Sequence, residues 1–138
     1  MPLTMTPCQV WIGGDSESRS LTIAIPMHPP NLNSKALNAA HWSKRHKIKQ
    51  TWNDLIGLSV RWPHRPMLWP VMVRYTWIYE LRRPDWDNVA TSLKLPLDAL
   101  ELAGVLENDA DVEDPVIVNR RRAAPGEKKG IVMELWEG

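Results

Sequence analysis

The sequence predicts an α/β chain of the α+β kind: one mixed β-sheet with two main helices, in the order β-α-β-α-β-β. Three observations carry that expectation. From Val71 to Tyr79 the chain alternates as a strand does, with Val71, Val73, Tyr75, Trp77 and Tyr79 on one face. Across residues 38–60 apolar side chains recur at helical spacing. Strand-like and helix-like segments then alternate to a pair of closing strands, the layout in which helices pack against a single sheet.

At 138 residues the chain fits one domain with a real core. Its hydrophobic content of 43% and charged content of 24% are those of a globular protein. No apolar run reaches the length of a membrane span, so no membrane partner is expected. The first residues lack a basic region followed by an apolar stretch, which argues against a secretory signal. Cys8 stands alone, so there is neither an internal disulfide nor a cysteine cluster for zinc, and a cytoplasmic setting is expected.

Taken in order, residues 1–20 read as a ragged extension of this single domain, with a short strand at Gln9–Ile12. Leu21–Ile25 is β-branched enough for a strand, and the P-M-H-P-P-N-L-N run that follows enforces a loop. The helix over 38–60 places Ile48, Trp52, Leu55, Ile56 and Ser59 on one face and stops before Trp62-Pro63. Val71–Tyr79 is apolar on both faces and predicts a central strand covered on both sides. After R-R-P-D-W-D-N, Asp87 or Asn88 can cap a second helix that runs towards Ala103 and stops at Gly104. Pro96 lacks an amide hydrogen, so the expectation is a kink, or two short helices with Pro96 in the first turn of the second. Val116–Asn119 and Gly130–Trp136 read as two strands of a hairpin with a basic tip.

The functional signal lies between Arg82 and Asp114. That window holds nine acids against three bases in a chain whose net charge is +1. Such crowding of like charge must be offset by hydration or by bound cations. Asp85 and Asp87 are two apart after a strand, where extended side chains point the same way. Asp109 follows the next helix and can return to the same sheet edge. Three convergent carboxylates suit a hard divalent cation such as Mg²⁺. The competing reading is that D-W-D-N is simply a helix N-terminus, where acids favour the dipole without a metal. Lys94 can hold a phosphate, or it can form an ordinary pair with Asp98 four residues on.

Basic segments surround this acidic stretch. They are Arg82 and Arg83, the His41–Lys49 run with Lys44, Arg45 and Lys47, and the cluster of Arg120, Arg121 and Arg122 with Lys128 and Lys129. Any one of them alone is read as a solvated face. Together, around one acidic centre, they suit a polyanion such as DNA. His28, His41, His46 and His64 lack metal-ligand spacing and read as loop or surface residues.

These residues resemble the RusA family of Holliday-junction resolvases, which phages and prophages often encode. The resemblance rests on R-R-P-D-W-D-N, Lys94, Asp98-Ala99-Leu100, Ala103-Gly104, Asn108-Asp109 and Val112, with I-P-M-H-P-P-N-L-N upstream, and spans roughly Leu21 to Trp136. It implies a RusA-like fold and a homodimer that binds four-way, branched DNA in a bacterial or phage-infected cell. It also implies paired nicks made with Mg²⁺, for which Mn²⁺ can substitute. Asp85, Asp87 and Asp109 take the places of the metal ligands, and Lys94 that of the catalytic lysine. Lys94 aligns when three extra residues are placed before it; without that insertion Thr91 aligns instead. The rival readings are a nuclease of the same fold with another DNA substrate, a non-catalytic branched-DNA-binding protein, and a structural phage protein.

Overall fold

The structure, a computed structural model, describes residues 9–13, 19–30, 42–63, 65–113 and 116–138. Its elements are β1 (Gln9–Gly13), β2 (Ser20–Ile25), α1 (Trp42–Ser59), β3 (Val71–Tyr79), α2 (Trp86–Ser92), α3 (Lys94–Leu102), a 3-10 turn (Asp109–Asp111), β4 (Ile117–Arg122) and β5 (Gly130–Glu137). The strands form one sheet in the order β1-β2-β5-β3-β4. β3 and β4 run parallel, and the other neighbours are antiparallel. The α+β class and the single mixed sheet are as the sequence predicts. The expected strand at Gln9–Ile12 is β1, an edge strand paired with β2 rather than part of a ragged start.

The core lies on one face of the sheet. Leu21, Ile23 and Ile25 from β2, Val71, Val73 and Tyr75 from β3, and Ile131, Met133 and Leu135 from β5 are buried there. Helices cover them with Trp52 and Ile56 from α1, Val89 from α2, and Leu95, Ala99 and Leu100 from α3. The expected cover on both faces of β3 is found only in part. On the far face Thr76 and Ile78 are buried, but Met72 and Arg74 are half-exposed. Arg74 keeps its charge in water beside its cross-strand partner Glu134, at 3.5 Å.

β4 and β5 do not form the expected hairpin. β3 lies between them, parallel to β4 and antiparallel to β5. The connection 123–129 therefore steps across one strand, about 10 Å from neighbour to neighbour, and turns at Gly126, whose φ is +82°. β4 takes the outer place because its side chains are mostly polar and exposed. The helices α2 and α3 supply the crossover that a parallel β3–β4 pair requires.

Helix α1 starts at Trp42 in the described residues; positions 38–41 of the expected helix lie outside them. The second expected helix is broken in two at Leu93, with Pro96 in the first turn of α3, where its missing amide hydrogen leaves no helical bond unmade. Gly104 ends α3 at φ +84°, and the Val105 amide donates back to the Leu100 carbonyl at 3.0 Å. That pairing with a left-handed glycine is a Schellman-type stop. The N-cap of α2 is Asp85, two or three residues earlier than the expected Asp87 or Asn88.

The ends of the sheet are tied by Arg19. Its guanidinium pairs with the Glu137 carboxylate at 2.5 and 2.6 Å and donates to the carbonyls of Arg65 and Pro66. The pairing holds the Glu137 carboxyl below its usual range and the arginine above its own. No helix among the described residues is long and apolar enough to cross a membrane.

Candidate functional site

Lys94 opens α3, and Asp98 and Glu101 follow it on successive turns. The chain then passes Gly104 and returns as the 3-10 turn that carries Asp109. Asn108 holds that turn by accepting from the Ala110 amide at 2.9 Å. Asn108 thus caps the turn that carries Asp109. The Lys94 ammonium donates to Asp98 Oδ1 and to Asp109 Oδ2, each at 3.2 Å. Both acids raise the lysine pKa, Asp98 more than Asp109. Lys94 thus makes the expected pair with Asp98 and also crosses to the loop that carries Asp109.

Asp98, Glu101 and Asp109 bring carboxylate oxygens within 4.8 Å of one another, close enough to bind a metal ion. They are the group of three acids so gathered among the described residues, and Asp85 and Asp87 stand outside it. Asp109 is the member shared with the predicted trio. The backbone explains the difference. Asp85 is extended at φ −69°, ψ 139°, but Asp87 already lies in the first turn of α2. The pair therefore does not share one face as it would along a strand. The reading of D-W-D-N as a helix N-terminus describes this backbone, although the Asp85 side chain makes no capping bond.

Three hard oxygen donors fit Mg²⁺ or Mn²⁺ by chemistry. Lys94 sets a condition on that fit. Its single positive charge already balances part of the cluster, so a divalent ion competes with it for Asp98 and Asp109.

The basic residues fall into several environments. Arg82 and Arg83 are exposed on the loop after β3. Arg120 donates to the Pro84 carbonyl at 2.9 Å and braces the loop that carries them. Arg121 forms a two-bond pair with Glu127 at 2.6 and 2.8 Å. Arg122 reaches the Leu81 carbonyl at 3.4 Å and lies 5.9 Å over the Tyr79 ring. Arg120 and Arg121, expected to hold DNA, are thus engaged inside the chain. Lys44, Lys47 and Lys128 are exposed, and Arg45 is half-buried near Trp42 and His46, whose rings stack at 5.0 Å.

The sequence reading missed His28. It lies half-buried against Trp77, with ring centroids 4.0 Å apart and planes 18° apart, and its Nε2 bonds to the Ile78 carbonyl at 2.7 Å. Both rings line a cleft of about 520 Å³ with Tyr79, Arg82, Arg83 and Lys129. The alternation of β3 marks Trp77 and Tyr79 in the sequence, but nothing local marks His28, which comes from a distant loop. No protein-family model matches the chain, and no curated protein sequence matches it.

Proposed function

We propose that the chain is a divalent-metal-dependent DNA endonuclease of the RusA type, which acts as a homodimer and resolves four-way junctions by paired nicks. The observation that carries this reading is the meeting of Lys94 with Asp98 and Asp109 beside Glu101, three acids close enough to hold a cation with a lysine in their midst. The resemblance carried by the D-W-D-N segment and Asp109 supports it, as do the exposed bases Arg82, Arg83, Lys44, Lys47 and Lys128.

A bound Mg²⁺ supplies an activated water and neutralises charge on the phosphodiester. Asp109 would hold the ion, with Asp98 and Glu101 or with Asp85 and Asp87 as its partners. Lys94 is cationic at neutral pH like any ordinary lysine, and both acids raise its pKa further. With a cation held by the acids, the Lys94 ammonium would be free to meet a phosphate oxygen. The exposed arginines and lysines hold the backbones of the junction arms.

Asp109 belongs to both acidic sets, so Asp109→Asn is the decisive variant. Nicking of a four-way junction in Mg²⁺ falls about 100-fold or more, the scale of a lost electrostatic stabiliser, while junction binding is kept. Nicking at the normal rate by this variant ends the assignment. Asp98→Asn and Asp87→Asn, assayed alongside, show which set holds the ion.

The Lys94 ion pairs also favour a second reading, a branched-DNA-binding protein without catalysis, because the ammonium can balance these acids with no metal. Purified protein that binds junctions but never nicks them in Mg²⁺ or Mn²⁺ selects that reading.

A further inference from the structure

The cleft at the end of β3 has a different chemistry from the acidic cluster. Val71, Val73 and Tyr75 bury the inward face of the strand in the core. Trp77 and Tyr79 continue the same face to a place where cover thins, and both remain half-buried. The His28 ring is fixed twice, flat against Trp77 and by its Nε2 bond to the Ile78 carbonyl. Burial pushes the His28 pKa down, and Lys129 adds to that effect. The cleft is thus floored by aromatic rings held in place before any ligand arrives.

Its rim is charged. Arg82, Arg83 and Lys129 line it, and Arg122 stands over Tyr79. Glu80 and Asp85 also line it and offer acceptors at the edge. Its volume of about 520 Å³ lies in the range of roughly 300–1,000 Å³ typical of small-ligand sites. Aromatic faces stack on bases of any identity, and arginine and lysine meet the phosphate. A carboxylate can accept from a base amino group. Paired bases in a duplex keep their faces stacked on one another, so only an unpaired nucleotide can use all three features.

We propose that this cleft binds one unpaired nucleotide of a DNA strand, its base stacked on Tyr79 and the His28–Trp77 pair and its phosphate on Arg82, Arg83 and Lys129. The proposal deepens the nuclease reading by naming the feature recognised beside the cut, and its biological meaning rests on that reading. The binding itself can be measured without any cleavage.

The test is a fluorescence-anisotropy titration of a short labelled oligonucleotide, single-stranded and then annealed to its complement, at fixed salt in EDTA. The wild-type protein binds the single strand about tenfold or more tightly than the duplex, the scale of one stacked base. The double variant His28→Ala, Tyr79→Ala loses about that factor for the single strand with no comparable loss for the duplex, whereas Tyr79→Phe keeps the preference. Equal wild-type affinity for both forms overturns the proposal. So does a folded double variant, checked by circular dichroism, that keeps the preference or weakens both forms alike. If the double variant does not fold, Tyr79→Ala alone takes its place: a selective loss of single-strand affinity supports the proposal and an equal loss overturns it. Junction nicking in Mg²⁺ is scored separately. A protein that prefers single strands but never nicks sinks the nuclease reading alone, and one that nicks without the preference sinks the cleft alone.

Discussion

Ser92 and Tyr75 show how one buried polar pair links the helices to the sheet. Ser92 Oγ donates to the Val89 carbonyl at 2.6 Å, so the Tyr75 hydroxyl at 2.8 Å is the donor to Ser92. Burial pushes the Tyr75 pKa well above the usual phenol range. Ser92→Ala strands that donor in the core and destabilises by about 1–3 kcal/mol, read from the midpoint of denaturant unfolding. Adding Tyr75→Phe removes the stranded group and recovers most of the loss. If Ser92→Ala is as stable as wild type, the bond does not hold α2 to β3. Lys94 makes the opposite kind of contact, exposed and charged. Its two ion pairs add little to stability, and its value is the position it gives the ammonium.

At the scale of elements, the sheet depends on a close approach at Gly130. A Cβ there would overlap the Ile25 carbonyl and press on the Pro26 backbone, where β5 begins beside the end of β2. Gly130→Ala forces the two strands apart and costs about 1–3 kcal/mol, visible as a lower thermal midpoint. An unchanged midpoint means that the approach is looser than described. The β4–β5 connection has its own pH dependence. The Arg121 guanidinium and the Ala124 amide hold the Glu127 pKa down to about 2 from 4.5. A carboxyl with a depressed folded pKa contributes stability above its unfolded value and loses it as pH falls through the folded one. The contribution is therefore complete above about pH 4.5 and fades towards pH 2. The pair is partly exposed, with 47% and 32% of the side-chain surfaces open to solvent, so the loss is below about 1 kcal/mol. Glu127→Gln flattens the acid limb of the stability–pH profile by that amount; an identical profile excludes the pair as its source.

Over the whole molecule, the acids that come together lie on α3 and on the 3-10 turn after it, and the exposed bases lie on α1, the loop after β3 and the β4–β5 connection. Binding to DNA by such a surface releases counterions and weakens as salt rises. Arg82→Ala with Arg83→Ala lowers the slope of log affinity against log salt by about 1.8, at roughly 0.9 per phosphate contact. The equivalent change at Arg121, already paired with Glu127, moves the slope less. A slope that ignores Arg82 and Arg83 removes them from the interface.

The sequence by itself determined the elements whose cause is local. Alternation set β3, helical spacing set α1, Pro96 divided the second helix and Gly104 stopped it, because each depends on backbone preferences and on side chains a few residues apart. The structure brings Lys94 within 3.2 Å of Asp109, two residues that the resemblance implies for one site. Only the tertiary structure decided which acids meet Asp109. The choice rests on the return of the chain after Gly104 over α3 and on Asp87 entering a helix where an extended pair was expected. The same is true of β3 standing between β4 and β5, and of His28 lying on Trp77, since both join segments far apart in the chain. Contacts at that range follow from how whole elements pack, which no local pattern of residues records.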